Sequence, residues 1–384
     1  MREVALSKAS PQQIPVVVLA GFLGSGKTTL LNHLLHHSGG TRIGAIVNDF
    51  GSIEIDAMAV AGQLGDSTVS LGNGCLCCAV DAGELDVYLD KLTRPVNDLH
   101  AIDVVVIEAS GIAEPQELVR MVLASENPRV VYGGLVEVVD AAEFDATREK
   151  HPEVKRHLAL ADLVVVNKAD RVGDGERERV LEAVRADAER AAVVTASYAR
   201  IDPDLLFDSR PSTERIGQLS FDDLYRDDLH RDDLHRDVLR PGPDHEGHLH
   251  AAYDSVAFTS DVPMDPRRLM AFLDGRAEGL YRIKGYVDFG TGDPRNRYAV
   301  HAVGRFLRFY PEPWPAKERR LTQLVLIGSG IDAEALHDEL AACRIEQSDA
   351  PHPADERGMW GVLRYVQDKG DPAPDAADHD TAEI

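Results

Sequence analysis

Positive charge is what this chain is short of: 41 lysines and arginines face 65 acids, a net −24 over 384 residues. With no bulk cationic surface to neutralise phosphates, a generic nucleic-acid or anionic-membrane binder is excluded. Aromatics are sparse at 6%, but the apolar share of 44% is that of a globular protein rather than a disordered one. No run approaches the roughly 20 apolar residues that span a bilayer. Met1 to Pro15 is polar and lacks the apolar core of a signal peptide, so a cytoplasmic location is expected. Cysteine is scarce too. Three of the four sit in Cys75-Leu76-Cys77-Cys78, too close together to staple distant segments, and reduced thiols available to a soft metal fit better.

What is present is order. The first ~210 residues alternate short Val/Ile blocks with amphipathic stretches, the pattern of βαβ units around a mostly parallel sheet. The blocks run over 15–20, 43–47, 104–107, 135–139 and 163–166, continuous rather than alternating, as strands covered on both faces require. Thr28 to His37 reads as a helix, with Leu30, Leu31, Leu34 and Leu35 on one stripe and Gly39-Gly40 as its stop.

Residues 216–250 break this pattern with a charged pentad repeat, Asp222 to Arg226, Asp227 to Arg231 and Asp232 to Arg236. Five residues advance a helix by about 140°, so the leucines form no stripe, and a solvated linker is expected. A smaller α+β unit is expected from about Tyr253 to Gln367. Its strands are read at 255–258, 286–289, 298–308 and 323–328, and its helices from Asp265 and Asp332. The expected division is a polar extension 1–14, a first domain 15–215, a linker 216–250, a second domain 251–367 and an acidic, disordered tail 368–384.

Gly21-Phe22-Leu23-Gly24-Ser25-Gly26-Lys27-Thr28 fits G-x-x-x-x-G-K-[ST] between a Val-rich strand and a helix, the context of a phosphate-binding loop. Its glycines let backbone N–H groups face a phosphate, with the helix N-terminus adding its dipole. The binding set is Gly21, Gly24, Ser25, Gly26, Lys27, Thr28 and Thr29; Lys27 reaches the β- and γ-phosphates and Thr28 ligates Mg²⁺. Asn167-Lys168-Ala169-Asp170 ends another strand. There Asp170 can accept from the ring N–H and exocyclic amine of guanine, a donor pair adenine lacks, so GTP is the expected nucleotide. Thr195-Ala196-Ser197 is a weak candidate to cover the base. Glu108-Ala109-Ser110-Gly111 follows the strand at 104–107, placing Glu108 to hold Mg²⁺ and the Gly111 amide to sense the γ-phosphate.

Cys75, Cys77 and Cys78, flanked by glycines, can converge on Zn²⁺ or another thiophilic ion, with a fourth ligand still to be supplied. Packing and redox roles stay open for them. The linker histidines His230, His235, His245, His248 and His250 read either as solvated side chains or as a metal-collecting tether.

GFLGSGKTTLLNHLL, GNGCLCC, VIEASG and NKAD, in this order, resemble the CobW-like family of metal-handling GTPases. The likeness spans residues 14–210, and Tyr281-Arg282-Ile283-Lys284-Gly285-Tyr286 looks like part of the family's smaller C-terminal domain. It implies GTP hydrolysis coupled to holding and delivering a transition metal, with zinc at Cys75, Cys77 and Cys78, cobalt as an alternative, and a client metalloprotein as partner. A homodimer stays open. Some relatives serve cobalamin synthesis or nitrile hydratase activation instead. Val47-Asn48-Asp49-Phe50-Gly51-Ser52 matches a stretch that often reads N-E-F-G-E. It keeps Asp49 as a candidate for Mg²⁺ contact or for positioning the attacking water, but lacks the outer acids. No arginine finger or catalytic glutamine is readable, so slow intrinsic turnover is expected. The rivals are a phosphate-loop small-molecule kinase and a non-catalytic metal buffer or sensor.

Overall fold

The computed structural model describes residues 13–38, 41–47, 68–70, 82–94, 102–111, 113–207, 253–315, 319–345 and 356–366. Among them the Val/Ile blocks become β1 (Ile14–Ala20), β2 (Ile43–Val47), β3 (Thr68–Ser70), β4 (Val104–Glu108), β5 (Val130–Asp140), β6 (Leu163–Asn167) and β7 (Ala192–Thr195). They pair in parallel throughout, in the order β3-β2-β4-β1-β5-β6-β7. The chain leaves central β1 toward one edge, returns through β4 beside it, and then builds outward from β5. That reversal opens a crevice at the carboxyl end of β1, where open α/β sheets bind ligands.

Helices cover both faces, which is why the strands read as unbroken apolar runs. On one face α1 (Lys27–His36) sets Leu30, Leu31 and Leu34 against Val17, Leu19, Val104 and Val136. On the other lie α2 (Ala82–Thr93), α3 (Pro115–Ala124), α4 (Phe144–Lys150), α5 (Glu153–Leu160) and α6 (Asp174–Asp187). No described helix is long and apolar enough to cross a membrane.

The second sheet is antiparallel, in the order β11-β10-β9-β12-β8. Its strands are β8 (Asp254–Ser260), β9 (Leu280–Val287), β10 (Asn296–Val303), β11 (Phe306–Pro313) and β12 (Thr322–Gly328). Helices α7 (Pro266–Asp274), α8 (Ala333–Ala342) and α9 (Glu356–Leu363) cover one face through Leu269, Leu273, Leu336, Leu340, Met359 and Val362. Asp265 and Asp332 stand just outside α7 and α8 as N-caps, each carboxylate accepting two backbone N–H bonds. The strand read at 286–289 lies earlier, at Leu280–Val287, and Asp288 and Phe289 belong to the turn after it. Arg282, Lys284 and Gly285 interrupt its apolar pattern. Gly285 is required there, because at φ +133° a Cβ would come within 1.9 Å of the Gln323 carbonyl oxygen.

The second unit meets the first sheet at the starting ends of its strands. His301 Nε2 donates to the Tyr132 carbonyl oxygen at 2.8 Å, and Ser329 Oγ donates to the Val193 carbonyl at 2.8 Å. Tyr281, Val303 and Ile327 join the apolar cluster that holds α1. Asp162, just before β6, accepts from Tyr132 Oη (2.5 Å) and from the Leu135 amide (2.9 Å). The β10–β11 turn closes on this carboxylate so tightly that a Cβ on Gly304 would lie 1.6 Å from Asp162 Oδ1. Gly304→Ala, also strained at φ +51°, is therefore expected to cost at least about 2 kcal/mol. Its urea midpoint should fall accordingly; a midpoint equal to wild type would show that the two units do not depend on this contact.

Candidate functional site

The crevice at the carboxyl end of β1 holds a cavity of about 430 Å³. Its lining includes Gly24, Gly26, Lys27, Thr28, Thr29, Glu108, Gly111, Asn167, Lys168 and Asp170, so most of the residues singled out by sequence converge on one space. Gly21 and Ser25 stand just behind it. Two of the loop's glycines are demanded by close approach: a Cβ on Gly21 would lie 2.4 Å from the Val138 carbonyl oxygen, and one on Gly26 2.3 Å from Asn167 Nδ2. Both have positive φ, +143° and +107°.

Lys27 is buried, its ammonium donating to the carbonyls of Gly21 (2.8 Å) and Phe22 (3.3 Å) at the base of the loop. Thr28 Oγ1 donates to Glu108 Oε1 at 2.6 Å, tying the first turn of α1 to the tip of β4. A hydroxyl and a carboxylate this close are hard oxygen donors of the kind Mg²⁺ takes at nucleotide sites. Gly111 passes so near the loop that a Cβ there would lie 2.7 Å from the Leu23 amide nitrogen.

Asn167 is the brace. Its Nδ2 donates to the Ser25 carbonyl (2.9 Å) and its Oδ1 accepts from the Ala199 amide (2.8 Å), both buried. Lys168, left-handed at φ 58°, sends its ammonium to the Gly24 carbonyl and to Asp140, each at 2.6 Å. Asp170 is exposed on the cavity wall. In the loop that carries Thr195, Ala196 and Ser197, the residue that lines the cavity is Tyr198. Arg171 lines it as well. Asp49, Cys75, Cys77, Cys78 and the five linker histidines lie outside the described residues.

Sequence reading passed over Glu137. It stands on β5 between Leu135 and Val139, on a face where strand alternation puts apolar residues. It is 2% exposed, and its Oε2 meets no hydrogen-bond donor among the described residues. Burial pushes its carboxyl up to about 8, with the nearby Lys27 charge acting in the opposite sense.

From its ordinary value of 4.5 to about 8, the folded protein holds a proton that the unfolded chain releases. Stability therefore falls as pH rises through that window. Glu137→Gln cannot ionise, so its advantage over wild type should grow from pH 5 to pH 9, reaching a few kcal/mol, by about 1.4 kcal/mol per pKa unit. Urea unfolding at the two pH values tests this; a difference independent of pH would mean that Glu137 does not titrate in that range.

Two family models match the chain. One, described as "CobW/HypB/UreG, nucleotide-binding domain", covers residues 15–195, and "Cobalamin synthesis protein cobW C-terminal domain" covers 253–344. The chain is 30% identical over 378 residues to the zinc chaperone CobW of Pseudomonas aeruginosa, spanning 88% of this chain and 93% of that protein. It is 29% identical over 354 residues to the zinc chaperone CobW of a Sinorhizobium species, spanning 84% and 94%. Against the zinc chaperone YjiA of Escherichia coli it is 27% identical over 334 residues, spanning 86% and 99%.

Proposed function

This chain belongs to the CobW/HypB/UreG family of P-loop GTPases, and from that premise we propose that it is a zinc metallochaperone. It holds zinc at Cys75, Cys77 and Cys78 and delivers it to a client metalloprotein under control of the bound nucleotide. The reading divides the chain into a GTPase domain at 15–215, a His-containing linker at 216–250 and an accessory α+β domain at 251–367. The observation that carries it is the shared cavity. Phosphate loop, β4 carboxylate and Asp170 all face one space, in a chain whose full-length relatives are named zinc chaperones.

The chemistry is positional. Loop amides and the α1 N-terminus receive the phosphates, and Lys27 exchanges its carbonyl partners for the β- and γ-oxygens. Thr28 and Glu108 would hold Mg²⁺, which supplies charge neutralisation at the transferred phosphoryl group. Asp170 accepts from the guanine edge. Asp49 is assigned to positioning the attacking water.

Asp170→Asn is expected to weaken GTP binding by roughly 2–4 kcal/mol, the scale of leaving buried polar groups unpaired, while xanthosine triphosphate binding is gained. Equal affinity of the wild type for ATP and GTP would make the guanine assignment wrong and favour a kinase. For the metal, Zn²⁺ titrated against a chelating competitor should bind about 5- to 150-fold differently with GDP than with a non-hydrolysable GTP analogue, a typical coupling. Identical zinc affinities in both states, with a GTPase rate untouched by Cys77→Ser plus Cys78→Ser, would sink nucleotide-controlled delivery.

A further inference from the structure

Tyr198 is an aromatic residue held where folding alone would not put one. It and Ala199 are consecutive non-glycine residues in the left-handed region, at φ 55° and 56°, a conformation that costs each of order 1–3 kcal/mol. The surroundings enforce it. Ala199 is fully buried and its amide is held by Asn167 Oδ1 at 2.8 Å. Ala196 donates to the Val166 carbonyl at 2.9 Å and accepts from the Ala169 amide at 3.1 Å, and the Arg200 amide closes the turn on the Ser197 carbonyl at 3.1 Å.

The result is a ring 68% exposed on the wall of the nucleotide cavity. Among the described residues its one ring contact is the Arg200 guanidinium, 6.0 Å from the centroid, the outer limit of a cation–π contact. A backbone strained to expose a ring, at a cavity with no other aromatic among its described lining residues, points to a binding surface rather than to packing.

The position suits a purine. The Ala169–Ala196 bond sets the Tyr198 loop directly beside Asp170, so a base whose edge meets Asp170 has its face toward this loop. Lys168 lines the same cavity with its ammonium tied to Gly24 and Asp140, which leaves its methylene stem as apolar wall. Asn167 joins the loop to the phosphate loop through Ser25, so the platform is held before any nucleotide arrives. We propose that Tyr198 is the stacking platform for the nucleotide base and sets how tightly the nucleoside end is held. The proposal rests on the guanine-nucleotide reading and adds to it the residue that covers the base face.

The test is equilibrium binding of GDP, GTP, ADP and inorganic pyrophosphate to wild type and to Tyr198→Ala, Tyr198→Phe and Tyr198→Gly. Loss of a stacked base predicts a fall of roughly 5- to 150-fold for Tyr198→Ala. The fall should be equal for GDP and GTP, with pyrophosphate affinity unchanged and Tyr198→Phe close to wild type. Tyr198→Gly should bind GDP as poorly as Tyr198→Ala although glycine relieves the left-handed strain and leaves the fold intact by thermal unfolding. Wild-type GDP affinity in Tyr198→Ala overturns the proposal. So does an equal loss of GDP and pyrophosphate, which makes Tyr198 a structural part of the loop, or a Tyr198→Phe as weak as Tyr198→Ala, which assigns the effect to the hydroxyl. Wild type binding ADP as tightly as GDP overturns the guanine reading alone, and the stack is then read from the Tyr198→Ala loss on ADP.

Discussion

The Asn167 carboxamide is the interaction on which the nucleotide pocket depends. One buried side chain satisfies a carbonyl of the phosphate loop and an amide of the loop after β7, so two segments 142 and 32 residues away in sequence share a single brace. Each buried backbone group would be costly if orphaned. The brace also dictates a neighbour: Nδ2 occupies the space where a Cβ on residue 26 would go, so the last glycine of the phosphate loop is required by Asn167 as much as by phosphate. Lys168 repeats the link from the adjacent position through Gly24. The phosphate loop and the loop after β7 are thus tied through adjacent residues at the end of β6.

The accessory unit attaches at the opposite pole of the sheet. Tyr132, Asp162 and Val193, its contact points, lie at the beginnings of β5, β6 and β7, whereas Asp140 and Asn167 end the first two of these strands at the cavity. The second unit's hydrogen bonds to Tyr132 and Val193 therefore lie at the far ends of the strands from the cavity. Tyr132, Asp162 and His301 at this junction are each hydrogen-bonded. Burial pushes Asp162 up to about 6, yet Tyr132 and Leu135 both donate to it, and burial lowers His301 to about 4, so its Nε2–H faces the Tyr132 carbonyl uncharged. A contact so well satisfied favours one relative arrangement of the two units over a range of others.

The sheet and the phosphate site were legible because their signals are local. Val/Ile blocks announce buried parallel strands, and the G-x-x-x-x-G-K-T spacing is one continuous loop between a strand and a helix. β9 was misplaced because two of its residues, Arg282 and Lys284, face the junction between units, so its pattern reflects a tertiary contact and not a solvent face. Glu137 was invisible for the converse reason: one acid inside an apolar run carries no periodic signal, and its burial emerges only once β5 is the strand next to β1. Tyr198 escaped because a left-handed tyrosine obeys no propensity; its conformation is imposed by Asn167, 31 residues earlier.

Register fixes what stands beside the carboxylate at the tip of β4. Val47, the last residue of β2, pairs with Glu108 on one side and with Ser70, the last residue of β3, on the other. Glu108 in turn receives the Thr28 hydroxyl. The chain therefore leaves the sheet toward Asp49 and toward Cys75 from positions one and two strands away from the carboxylate assigned to Mg²⁺. Neighbouring strands lie about 4.8 Å apart, so the ends of β2 and β3 stand one and two strand spacings from Glu108. Under the proposed function, a shift of Glu108 on loss of phosphate would act first on the ends of β2 and β3, and any change that metal made in nucleotide affinity would be returned by the nucleotide with equal free energy. The link from β3 through β2 to that carboxylate is built from strand pairing.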